Sequence, residues 1–234
     1  MKTKAIFFDL DGTLLPMVQE VFVKDYLGRL AAYMAPYGYE PKGLSEAVMN
    51  GVAAMVKNDG RCSNERLFWD VFADRFGKNV LNDHEKFEEF YRTEFQKCSA
   101  SCGFEVKAGE VIALVKQKSL MPVLATNPLF PQIATFSRIR WAGLEKEDFN
   151  YITTYENSSF CKPNPLYYQQ ILDKLDLKAG ECVMVGNDAR EDTVPAQLGM
   201  QVFLLTDCLI NKGEDIDKYP HGDFEALKKF LEEV

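Results

Sequence analysis

The sequence is short of the side chains from which imidazole and thiolate sites are built. It has two histidines, His84 and His221, and its six cysteines (Cys62, Cys98, Cys102, Cys161, Cys182 and Cys208) keep no disulfide-framework spacing. Cys98 and Cys102 stand four apart with neither histidine beside them, which argues against a zinc site and for reduced thiols in a cytoplasmic protein. Basic residues are in deficit: 27 Lys plus Arg face 35 Asp plus Glu, a net charge of −8. An acidic chain with no polybasic run lacks the electrostatic footprint for nucleic acid and has little to offer an anionic membrane surface. Long apolar runs are missing too. Before Asp9 only Ala5–Phe8 is apolar, too short for a signal-peptide core, and no stretch approaches a membrane span.

The 234 residues suffice for one large domain or two modest ones. Five short apolar, β-branched or aromatic runs read as strands: Ala5–Phe8, Pro122–Ala125, Tyr151–Thr154, Cys182–Val185 and Gln201–Leu205. Helical patterns lie between or beside the last four, at Glu110–Ser119, Phe130–Ala142, Leu166–Leu175 (with Pro165 at its start) and Glu191–Leu198, which Gly199 stops. The tail reads as a loop and a last amphipathic helix. This alternation predicts an α/β fold, a Rossmann-like parallel sheet with helices on both faces. From about Val18 to Ser101 the alternation breaks and helices alone are expected, among them Arg66–Phe76 and one that begins at Asn82 with Glu85 as its capping partner. The expected domains are therefore a core of residues 1–15 and 103–234, interrupted by an all-helical unit at 16–102, with hinges near Pro16 and Gly103.

Ligands in open α/β sheets bind at the carboxyl ends of strands, and polar groups gather there in this sequence. After the first strand "DLDGT" supplies Asp9, Asp11, Gly12 and Thr13; after the second come Thr126 and Asn127; after the third, Lys162 precedes Pro-Asn-Pro. After the fourth, "GNDARED" brings Asn187, Asp188 and Asp192. Asp9 and Asp11 stand at i and i+2, on one side of an extended chain, where like charges repel unless a cation or proton compensates. Asp-x-Asp-Gly is also ordinary turn chemistry, and Lys162 alone could be a loop lysine. It is the convergence of four loops that points to a site.

In these four segments the chain resembles the haloacid dehalogenase-like (HAD) superfamily, in its helical-cap, phosphatase-like branch. "DLDGT", "ATN", "CKPNP" and "VGNDARED" correspond to the four motifs of that family, and residues 16–102 to its cap. The resemblance implies a Mg²⁺-dependent phosphatase acting on a small phosphorylated metabolite. Asp9 would be the nucleophile that becomes an aspartyl-phosphate, and Asp11 the acid and base. Thr126, Asn127 and Lys162 would bind phosphate, and Asp192 would hold a metal water or pair with Lys162. The metal ligands would be Asp9, Asp11 through its backbone carbonyl, and either Asn187 or Asp188. Register from Gly186 favours Asn187 and charge favours Asp188. A sugar-phosphate mutase, a 2-haloacid dehalogenase and a catalytically impaired binding module remain alternatives on the same fold, although Asp11 suits phosphate chemistry. Cys161 is expected to be a buried packing residue, Trp69 and Trp141 likewise, and His84 a surface residue.

Overall fold

The computed structural model describes residues 2–234. Its sheet contains six parallel strands: β1 (Ala5–Phe8), β2 (Met121–Leu124), β3 (Tyr151–Ile152), β4 (Cys182–Gly186), β5 (Gln201–Leu205) and β6 (His221–Gly222), in the order β3-β2-β1-β4-β5-β6. β1 lies inside the sheet, which is why it is a continuous apolar run: a parallel strand covered on both faces has no polar side to show. Alternation still sorts its side chains. Ile6 and Phe8 join one apolar cluster with Val183, Val185 and Phe203, while Ala5 and Phe7 join another with Met184 and Val202 on the opposite face.

Helices α5 (Val106–Gln117), α6 (Gln132–Trp141) and α8 (Phe224–Glu233) cover the first face, and α7 (Pro165–Leu175) covers the second. The sequence placed α5, α6 and α7 within a few residues of these bounds. Two differences have plain causes. Glu191–Leu198 is not an α-helix; turns lead into a short 3₁₀ segment at Val194–Leu198, because Pro195 lacks the N–H that an α-helix needs. Strand β6, two residues long, has no sequence period to betray it and is set only by pairing of His221 and Gly222 beside Leu204 and Leu205.

Between β1 and α5 the chain is helical: α1 (Gln19–Met34), α2 (Pro41–Val56), α3 (Asn64–Phe76), α4 (His84–Arg92) and a 3₁₀ stretch at Glu94–Ser101. Glu40 caps α2 by accepting from the N–H groups of Lys42 and Gly43, and Ser63 caps α3 through Arg66 N–H. The Asn82–Glu85 capping pair does not form. Residues Lys78–Asp83 are a 3₁₀ turn, and Asp83, at the actual helix start, gives its carboxylate to Tyr39 and Lys86. The apolar stripes of α1 and α4 meet the 3₁₀ stretch, the loop before α6 and α6 itself in an aromatic cluster that includes Phe22, Tyr26, Phe90, Phe95, Phe130 and Trp141. The chain leaves and re-enters the sheet region side by side: Met17 pairs with Cys102, and Gly103 N–H donates to Pro16 C=O at 2.7 Å. Among the described residues no helix is long and apolar enough to cross a membrane.

Candidate active site

Register sets the site. Phe8 pairs with Leu124 on one side and Val185 on the other, so β1, β2 and β4 end abreast. Asp9 N–H donates to Val185 C=O at 2.9 Å and Ala125 N–H to Phe8 C=O at 2.7 Å, which carries the ladder one step past the strands. Asp9, Thr126 and Asn187 therefore stand at one edge. The turn that follows Asp9 depends on Gly12, whose φ of +85° suits glycine and whose missing Cβ would lie 2.2 Å from Asn187 Nδ2. Beyond it the Thr13 hydroxyl sits 3.0 Å from Asn187 Oδ1 and 3.4 Å from Asp9 Oδ2.

Lys162 is buried, and its ammonium donates to Asp9 Oδ1 at 2.8 Å and to Asp192 Oδ1 at 2.7 Å. Burial works to lower its pKa, but Asp192 and Asp9 override that and hold it well above the ordinary lysine value. Burial pushes the Asp9 carboxyl up to about 7; Lys162 pulls it down, and Asp192 and Asp11 add to the rise. Asp192 is held by its second oxygen, which accepts from the N–H groups of Asn187 and Asp188, both at 3.0 Å. That approach requires Gly186, where a Cβ would fall 2.1 Å from Asp192 Oδ2. Tyr167 and Thr153 fix Thr126 from below, their hydroxyls lying 2.8 and 2.7 Å from its carbonyl.

Asp11 is met by a residue the sequence reading missed. Arg138, on α6, forms an ion pair with its Oδ2 and is completely buried, its guanidinium centred 4.4 Å from the Phe130 ring. The two carboxylates of the first loop thus each face a protein cation, Asp9 facing Lys162 and Asp11 facing Arg138. The sequence offers only spacing as a signal for Arg138: small apolar Ala134 and Ala142 lie four residues to either side, and the structure buries both, which places position 138 in the middle of the inward stripe.

In the fourth loop Asn187 gives its amide N–H to Cys208 C=O at 2.8 Å and turns Oδ1 toward Thr13. Asp188 Oδ1 instead accepts from the N–H groups of Arg190 and Glu191, capping its own turn. Glu191, which the sequence reading left out, accepts from Asn127 Nδ2 at 3.1 Å, and Asn127 Oδ1 accepts from Lys162 N–H. Burial pushes the Glu191 carboxyl above its usual range. Cys161 is buried as expected, with its thiol pushed up to about 12 by burial, and His84 is half-exposed beside Trp69.

Comparison with known proteins decides the family. A family model described as haloacid dehalogenase-like hydrolase matches residues 3–197. The chain belongs to the haloacid dehalogenase-like hydrolases. A phosphoglycolate phosphatase of Pectobacterium atrosepticum is 26% identical over 195 residues, 83% of this chain and 76% of the relative. A HAD phosphatase from Thermococcus onnurineus superposes with a TM-score of 0.60 at 17% identity, covering 98% of both chains. An L-2-haloacid dehalogenase superposes almost as well, at TM-score 0.57 and 18% identity over 99% of this chain and 100% of its own. Likeness of fold at this level hosts more than one chemistry, and it is the side chains of the site that set which one.

In this HAD-like hydrolase Asp9, Asp11, Thr126, Asn127, Lys162, Asn187, Asp188, Glu191 and Asp192 all line one cavity of about 190 Å³, roofed by α1 and the Leu129–Phe130 loop. Among the described residues no three His, Cys, Asp or Glu side chains converge as a ready-made metal cluster. The donors nevertheless fit a hard cation in kind. All are oxygens, Asp11 Oδ1 is buried without a hydrogen-bond partner, and Asp9 Oδ2 has only the long contact to Thr13.

Proposed function

We propose that the protein is a Mg²⁺-dependent phosphatase that hydrolyses a small phosphorylated metabolite through an aspartyl-phosphate. The observation that carries this reading is the bridge from Lys162 to Asp9 and Asp192, set in a cavity shared with Asp11, Thr126 and Asn127. Lys162 occupies Asp9 Oδ1 and leaves Oδ2 to attack phosphorus. The bond to the alcohol oxygen breaks, and Asp11, entering the reaction protonated on Oδ1, the oxygen that Arg138 leaves free, gives the departing alcohol that proton. Asp11 then takes a proton from the water that attacks the same phosphorus, which releases inorganic phosphate and restores the Asp9 carboxylate. The Lys162 ammonium, the Thr126 hydroxyl and the Asn127 amide hold the phosphoryl oxygens.

Mg²⁺ held by Asp9, the Asp11 backbone carbonyl and Asn187 or Asp188 would supply the positive charge that lets an anionic ester approach a carboxylate. Asn187 is favoured by position, since its amide oxygen stands beside Thr13, which also reaches Asp9, while Asp188 spends Oδ1 on its own turn and offers only Oδ2. Residues 16–102 act as a cap, hinged where Pro16 and Gly103 meet.

Turnover of an aryl phosphate with and without Mg²⁺, in wild type and Asp9→Asn, tests the reading. Mg²⁺-dependent hydrolysis that Asp9→Asn abolishes, with a phosphoryl adduct on the Asp9 peptide after acid quench, is the expected result. Activity retained by Asp9→Asn, or indifferent to Mg²⁺, overturns it. Phosphoglycolate, the substrate in the name of the Pectobacterium relative, belongs in the same assay.

A further inference from the structure

The cavity around Asp9 is charged on its floor and apolar on its roof. Among the described residues Lys162 is the one cation that lines it, and its ammonium is taken up by Asp9, Asp192 and the phosphoryl group. Arg138 stands behind Asp11, outside the lining. The other charged groups there, Asp188 and Glu191 among them, are acidic. A leaving group bearing a carboxylate or a second phosphate would turn toward that apolar roof and find, among the described residues, no free side-chain cation, an arrangement that rejects it. The roof offers Met17, Phe22 and Val23 with Leu129 and Phe130, and Gln19 as its polar member.

Behind this roof lies a second cavity of about 130 Å³ that shares Val23, Leu129 and Phe130 with the first. Its deeper walls are apolar and come from all four helices, with Leu27, Val48, Val52 and Phe68 among them. Its polar atoms are paired with each other: the hydroxyls of Tyr26 and Tyr91 lie 3.0 Å apart, and Trp69 Nε1 donates to the Tyr155 hydroxyl at 3.4 Å. A space of this size and lining takes a benzene-sized group. Phe130 is fixed between the Arg138 guanidinium and the Tyr26 ring, so Val23 and Leu129 are the side chains left to turn aside.

We propose that this site takes a phosphate monoester of an uncharged, apolar alcohol, aryl, arylalkyl or branched alkyl, whose hydrocarbon part passes Val23 and Leu129 into the helical cavity. The inference rests on the phosphatase reading above and names the substrate class of that same site. Bisphosphates and phosphates of hydroxy acids are the esters it turns away.

The test is kcat/KM with Mg²⁺ for ethyl, butyl and benzyl phosphate, whose alcohols are of similar acidity, beside phosphoglycolate. The expected order is benzyl above butyl above ethyl, the extremes separated by about tenfold or more, with phosphoglycolate lowest. Filling the second cavity by Val48→Phe, or separately by Val52→Phe, should bring the benzyl-to-ethyl ratio toward one in whichever variant keeps its folded circular dichroism. Equal values for ethyl and benzyl phosphate, or a preference for phosphoglycolate, overturns the inference and leaves the phosphatase reading standing. Calorimetric binding to Asp9→Asn separates the reverse case: a protein that hydrolyses none of the esters yet binds benzyl phosphate over phosphoglycolate fails the phosphatase reading alone.

Discussion

Arg138 reaches Asp11 across 127 residues of chain, and their ion pair ties α6 to the loop that carries the proposed nucleophile. The guanidinium is fully buried, has no partner for its Nε among the described residues, and rests on the Phe130 ring. A charge so placed is tolerated only because Asp11 answers it, and Asp11 in turn stands next to the buried Asp9.

Arg138→Met leaves Asp11 uncompensated. Because the Asp11 side chain is only 18% exposed, solvent replaces little of what is lost. Thermal unfolding should show a loss of about 3 kcal/mol, which for a chain of this length lowers Tm by about 10 °C. A shift of under 2 °C would mean that the pair does not hold the loop.

Lys162→Met removes the bridge between two carboxylates. Turnover should fall by roughly 10²- to 10³-fold, and the folded state should weaken because Asp9 and Asp192 then face each other unneutralised. In Lys162→Met/Asp192→Asn the second change should recover part of the stability and none of the activity. A denaturant double-mutant cycle that finds the two effects additive would break the proposed link.

The pH dependence of Asp9 has a definite sign. Its carboxyl is raised from 3.8 in the unfolded chain to about 7 in the fold, first by burial. Between those values the unfolded state is ionised while the folded state holds a proton, so this group takes stability away as pH rises and levels off above about 7. In EDTA, the Tm gap between Asp9→Asn and wild type should widen from pH 4 to 7 and stay constant beyond. A gap that narrows over that range refutes the burial argument.

Gly186→Ala is predicted to act through Asp192 alone. Position 186 is not in the left-handed region, so alanine costs little conformationally; the Cβ simply claims the place of Asp192 Oδ2. Activity should drop by about 10²-fold through misplacement of Lys162, and crystallography should find Asp192 displaced. An undisturbed Asp192 would sink this explanation.

The sheet and the four polar loops were readable because parallel strands are apolar runs and because Gly12, Thr13, Asn127 and Pro163 punctuate their ends. Arg138 was not read, since a helical arginine among Ser137, Arg140 and Trp141 looks solvated until Ala134 and Ala142 are seen to point inward. Glu191 was hidden for another reason: Pro195 breaks the helix that the local pattern suggested, and only the resulting turn brings Glu191 to Asn127. Asn82 and Glu85 show the converse, a capping pattern overruled because Asn82 lies within the 3₁₀ turn and the α-helix starts only at His84.

The adjacency of Pro16 and Gly103 has an evolutionary corollary. Departure and return are a single hydrogen bond apart, so everything between them can be traded for another insert without asking the sheet to stretch or re-pair. What a replacement must bring is a face that fits α6, where Phe95 lies against Trp141 and Gln96 donates to Ser137. A lineage of such chimaeras would keep one catalytic floor and change its diet by swapping ceilings.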